Sequence, residues 1–165
     1  MNAFFPADLV ALAQRVIDEN RAIGRTVALA ESCTGGLVCA ALTEIPGSSA
    51  VLDRGFVTYS NEAKMEMLGV HADIIDSFGA VSPATAWAMA QGAIKKSRAD
   101  VAVAISGVAG PDGGSEMKPV GTVVFACARR GDDESIHAEQ KLLEGRTRSE
   151  IRHQAAIVAL ELLLP

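Results

Sequence analysis

The chain has 165 residues, 49% hydrophobic, 21% charged and only 4% aromatic, with a formal net charge of −5. A chain of this size removes about two thirds of its unfolded surface from water, enough for one core and a single domain over 1–165, and its apolar content excludes disorder. The acidic balance, one Trp and one Tyr speak against a nucleic-acid surface, and the longest apolar run, 154–164, is broken by Glu161 and too short for a membrane span.

From the start, Met1 to Asp8 carries no basic segment followed by an apolar stretch, so no secretory leader is expected. Residues 6–23 read as an amphipathic helix, with Pro6 in its first turn and Leu9, Leu12, Val16 and Ile17 on one stripe. Thr26 to Ala30 is a short apolar run, a buried strand. Gly35-Gly36 leads into a helix ending near Glu44, and Pro46 to Ser49 is a loop. Residues 54–59 form a second strand, and Asn61 is placed to cap a helix ending at Gly69. Another short helix covers 72–78. Ser82-Pro83 opens a helix to about Ser97, and 101–105 is a third buried strand. A glycine-rich loop runs from Gly107 to Lys118. Residues 120–129 and 135–142 pair antiparallel around Arg130 to Asp133, and a last helix spans about 147–164. Helices alternating with buried strands give an α/β/α sandwich, a mixed sheet with helices on both faces.

Cys33, Cys39 and Cys127 are too few and too scattered for a disulfide framework and suit a reducing, cytoplasmic setting. His71, His137 and His153 lack ligand spacing, so neither a metal nor another cofactor is expected. Ala30 to Gly36 sits where a strand hands over to a helix. Small residues there admit a substrate, and free N–H groups suit a nucleophile whose product oxyanion needs donors. Ser32 and Cys33 are both candidates. On spacing alone Ser32 is equally a helix cap and Cys33 a small core filler.

Thr58 to Lys64 is the second constellation. With Asn61 as cap, Lys64 falls at the third helical position, where a cation opposes the helix dipole at about 0.3–1 kcal/mol. That is less than one pKa unit, so a basic Lys64 requires desolvation as well. An isolated lysine is ordinarily solvated. Tyr59, the only Tyr, precedes it at the strand end. The loop Ser106 to Gly114 follows an apolar strand, where ligand sites of open α/β sheets gather, and Lys118 closes it. Its alternative is a plain hairpin connection. Ser48 is a weaker candidate, a hydroxyl on a turn. Arg146, Arg148 and Arg152 begin the last helix, as a solvated face or as cations for a phosphate or an acidic partner.

Together these segments resemble the CinA C-terminal domain family. The match comprises Ala30 to Gly36, Gly47-Ser48-Ser49, Gly55 to Asn61 with Lys64, Gly79 to Ser82, Ser106 to Gly114, and Lys118 to Val123. They stand in family order over about residues 8–163, in a chain that looks like the stand-alone form. The resemblance implies a nicotinamide-nucleotide amidase, which hydrolyses the carboxamide of nicotinamide mononucleotide to nicotinate mononucleotide and ammonia. It implies Ser32 as nucleophile and Lys64 as its base, with Tyr59 assisting. The expected substrate contacts are Thr34, Gly35, Gly36, Ser48, Asn61, Ser106, Gly107, Ala109, Gly110 and Arg148. A small-molecule nucleotide is the expected partner, and a homodimer the expected assembly. A cysteine amidase using Cys33 competes with this reading. So does a non-catalytic nucleotide-binding regulator of the competence or DNA-damage response.

Overall fold

The computed structural model describes residues 4–165; Met1 to Ala3, part of the stretch read for a leader, lie outside the described residues. Five strands form one sheet in the order β2-β1-β3-β4-β5. β1 (Val27–Glu31), β3 (Val101–Gly107) and β4 (Thr122–Arg129) are its buried centre. β2 (Leu52–Val57) and β5 (Ala138–Leu142) are its edges, largely solvated on the outside. β1 runs parallel to both β2 and β3, whereas β4 and β5 are antiparallel additions, so the expected mixed sheet is present.

α1 (Ala7–Ala22), α2 (Leu37–Thr43) and α6 (Arg148–Leu162) cover one face. α3 (Asn61–Leu68), α4 (Ala72–Phe78) and α5 (Pro83–Lys95) cover the other. Because side chains alternate along a strand, each central strand serves two cores. The first takes Val27, Leu29, Val103, Ile105 and Phe125. The second takes Ala28, Ala30, Ala102, Ala104, Ala126 and Ala128. Alanine on the sheet meets Ala86, Ala90 and Ala93 of α5, so that helix lies close to the strands. Gly92 continues the pattern: a Cβ there would stand 2.1 Å from the Leu68 carbonyl oxygen.

Boundaries differ from the sequence reading for local reasons. Ser60, not Asn61, caps α3: it is extended (φ −85°, ψ 163°) and its Oγ accepts the Ala63 N–H. Lys64 is therefore the fourth helical residue, still in the first turn. β5 starts at Ala138 rather than 135, because Asp132 Oδ1 accepts the Ser135 N–H at 3.0 Å and prolongs the turn. α6 starts with a capping box, Thr147 and Glu150 exchanging side-chain to backbone bonds. Among the described residues no helix is long and apolar enough to cross a membrane.

Candidate active site

Three parallel strands share a direction, so their carboxyl ends share one edge of the sheet. Ser32 follows β1, Thr58 to Lys64 follow β2, and the glycine loop follows β3. Segments far apart in sequence thus meet around a cleft of about 360 Å³. Ser32, Lys64, Tyr59, Ser106, Gly107, Ala109, Gly110 and Arg148 all line it.

At its floor Lys64 Nζ lies 3.0 Å from Ser32 Oγ. Lys64 is only 1% exposed, an unusual position for a lysine. Its Nζ also donates to the carbonyls of Thr58 (2.8 Å) and Tyr59 (3.2 Å). It pairs with no carboxylate among the described residues. Burial disfavours the ammonium, so the Lys64 pKa falls below the ordinary lysine value, with the Cys33 thiol as a lesser influence in the other direction. The Ser60 carbonyl lies farther off, at 3.5 Å. Once neutral, the amine can give its two protons to the nearer carbonyls and turn its lone pair to the Ser32 hydroxyl, the arrangement a nucleophile–base pair requires. Cys33 offers no comparable nucleophile. Burial pushes its thiol up to about 11, so little thiolate exists at neutral pH.

The helix N-terminus after Ser32 is arranged differently from the expectation. The Glu31 carboxylate, fully buried, accepts the N–H groups of Gly36 (3.0 Å), Val38 (3.2 Å) and Cys39 (2.9 Å). These donors, and the positive end of the α2 dipole, are thereby occupied. Gly35 N–H is bonded to the Ser32 carbonyl, and Ser32 N–H to Ile105. Cys33, Thr34, Ala109 and Gly110 keep N–H groups without a hydrogen bond among the described residues.

Tyr59 contributes its carbonyl to Lys64, while its ring is 63% exposed at the mouth and its hydroxyl accepts from Arg148 Nη2 at 3.1 Å. Arg148 Nη1 also holds the Gly110 carbonyl at 2.7 Å. Ser106 Oγ donates to the Ala80 carbonyl. Thr34 is buried, and its hydroxyl has no hydrogen-bond partner among the described residues. Asn61 is an exposed residue of the first turn of α3 and does not line the cleft. Ser48 lies at the other end of the sheet: the turn it opens closes at Val51, whose carbonyl accepts the N–H of Val27 at the amino end of β1. Within one chain Ser48 is therefore not brought to the cleft. Lys118 turns away too, donating to the Phe78 carbonyl at the end of α4.

Sequence reasoning missed Glu31, which ties residues five to eight positions ahead. It also left Arg152 among solvated cations, whereas Nε and Nη2 hold the carbonyls of Cys33 and Thr34 at 3.1 and 2.9 Å. A hollow of similar size beside β5 includes Cys127, but burial raises that thiol and no base is bonded to it.

The molecule is thus a single-sheet α/β protein with a serine–lysine pair at the carboxyl ends of its parallel strands. Residues 9–165 match the model of the CinA C-terminal domain, and the chain belongs to that family. It is 50% identical over 158 residues to the nicotinamide-nucleotide amidohydrolase PncC of Escherichia coli (strain K12), covering 95% of this chain and 93% of that protein. Two longer relatives share 51% identity: the chain spans 34% of a Symbiobacterium thermophilum protein and 32% of a CinA-like protein of a Mycobacterium species. The crystal structure of the competence/damage inducible protein CihA from Agrobacterium tumefaciens superimposes with a TM-score of 0.93 at 49% identity, covering 98% of this chain and 97% of that one.

Proposed function

We propose that this chain is a nicotinamide-nucleotide amidase, and that it works through a Ser32–Lys64 dyad and an acyl-enzyme. The substrate class rests on the nicotinamide-nucleotide amidohydrolase relatives of nearly equal length. The observation that carries the mechanism is the 3.0 Å contact between a buried lysine, paired with no carboxylate among the described residues, and a serine at a cleft floor.

Neutral Lys64 takes the Ser32 proton as Oγ attacks the carboxamide carbon. The oxyanion takes N–H donors that the fold leaves free, at Cys33 in the turn and at Ala109 and Gly110 in the facing loop. The Lys64 ammonium returns its proton to the departing nitrogen, and ammonia leaves. Water then enters the vacated position, gives a proton to Lys64 and attacks the ester. Collapse releases the nicotinate nucleotide and restores the Ser32 hydroxyl. Arg148, fixed at the mouth by the Gly110 carbonyl and the Tyr59 hydroxyl, presents a cation to the substrate phosphate.

Incubation with nicotinamide mononucleotide is expected to release ammonia. Ser32→Ala and Lys64→Ala should each lose about 10³-fold or more in kcat, comparable to loss of a nucleophile or its base elsewhere. Full activity in either variant refutes the dyad, and no ammonia from the unaltered chain refutes the amidase.

A further inference from the structure

The turn that presents Ser32 is built from small, flexible units. Gly35 and Gly36 both adopt left-handed backbone (φ 58° and 97°), open to few other residues but costly to hold still. Its peptide groups differ in how they are secured. Beyond the turn, the Glu31 carboxylate fixes the N–H groups of Gly36, Val38 and Cys39. The Ser32 carbonyl accepts from Gly35, and the Thr34 carbonyl from Leu37. The peptide group joining Cys33 to Thr34 has neither kind of support. Its N–H is unbonded among the described residues, and its carbonyl is held by one donor, Arg152 Nε, at 3.1 Å. The same guanidinium takes the Thr34 carbonyl through Nη2 at 2.9 Å. A planar fork fits two successive carbonyls, which a lysine ammonium matches poorly.

We infer that Arg152, 120 positions after Ser32 in the sequence, is a positioning residue for the nucleophile: its guanidinium fixes the Cys33–Thr34 peptide plane, the second after Ser32, and the Thr34 carbonyl beyond it. Without it that plane is free to rotate, which re-aims the Thr34 N–H, lets the Cys33 backbone shift with it, and loosens Ser32 Oγ against Lys64 Nζ. Displacement of reacting groups by about 1 Å costs on the order of 10²-fold. Arg152 leaves substrate affinity largely alone, since it does not line the cleft.

The inference rests on the serine–lysine reading, and two measurements separate their failures. The first is ammonia release from nicotinamide mononucleotide by Arg152→Met and Arg152→Lys, with the Tm of each. The second is the rate at which phenylmethanesulfonyl fluoride labels Ser32, followed by mass spectrometry, which needs no substrate. For Arg152→Met, kcat and labelling should both fall by about 10²-fold, with KM within about threefold. Arg152→Lys, able to reach one carbonyl, should recover part of each, and added methylguanidine should partly rescue Arg152→Met. Folded Arg152→Met with kcat and labelling within twofold of the unaltered chain overturns the inference. So does a loss confined to KM, or a loss that follows Tm alone and that methylguanidine does not reverse. An unaltered chain not labelled at Ser32 overturns the dyad itself, and one that is labelled but releases no ammonia overturns only the amide substrate.

Discussion

Two charged side chains are buried within a few ångströms of sequence-adjacent positions at the end of β1, and they are treated in opposite ways. Glu31 is surrounded by donors: three N–H groups and a helix dipole compensate its charge. Lys64 is surrounded by neutral acceptors, with no carboxylate among the described residues to match it. A compensated buried charge is an architectural element. An uncompensated one gives up its proton more readily than an ordinary lysine does, the direction a base needs. Both flank Ser32, one along the chain and the other in space, so burial alone does not separate structure from chemistry; the partners do.

The comparison breaks most visibly at Lys64. Lys64→Met should abolish about 10³-fold or more of kcat while costing only about 1–2 kcal/mol in denaturant unfolding, since it strands neutral carbonyls but also removes a poorly matched amine. A stability loss of several kcal/mol there would make Lys64 structural. Glu31→Ala should do the reverse in kind, costing about 3–5 kcal/mol in unfolding, since it strands three donors at the α2 terminus. An unchanged Tm would mean that the α2 terminus finds water or another acceptor at no cost.

The pH dependence sharpens the contrast. The folded-state pKa of Lys64 lies below its unfolded value. Between the two, the unfolded chain binds more protons, so the stability of the unaltered chain relative to Lys64→Met should rise with pH through that window. kcat/KM should rise over its lower end, as the neutral amine accumulates, and Lys64→Met should show neither slope. The smallest effect belongs to an exposed pair. Asp8 and His153 join α1 to α6 at 2.8 Å, and the His153 hydrogen bond holds the Asp8 carboxyl below its usual value. That contribution is present above the unfolded Asp pKa and fades as pH falls through the folded one. His153→Ala should cost no more than about 0.5 kcal/mol at neutral pH, and a larger loss would mark the pair as more than a surface contact.

The sheet and its helices were legible because central strands here are continuous apolar runs and the helices carry explicit caps, such as Ser82-Pro83. Ser32, Lys64 and the glycine loop were legible because each follows a strand end, and a parallel sheet gathers those ends. The partners of these groups were not. Glu31 reads as one more polar residue after a strand, because its three bonds form only once α2 is wound. Arg148 was legible as a substrate contact but not in what holds it, and Arg152 looked like part of a solvated cationic face, since their acceptors include carbonyls supplied by distant loops. Ser48 failed for a similar reason: hydroxyl chemistry is visible in a sequence, whereas the end of a strand on which a turn sits depends on strand direction.

The alanine layer beneath α5 has a consequence for the cost of order. Alanine has no rotamers to freeze, whereas each leucine or isoleucine gives up about 0.5–1 kcal/mol of side-chain freedom on burial. The sheet surface made by Ala28, Ala30, Ala102, Ala104, Ala126 and Ala128 is therefore set at almost no side-chain entropy. α3, the helix that carries Lys64, packs over this layer beside α5, with Gly92 against the Leu68 carbonyl. The base is mounted on a helix whose support, on the sheet side, has almost no side-chain freedom to lose.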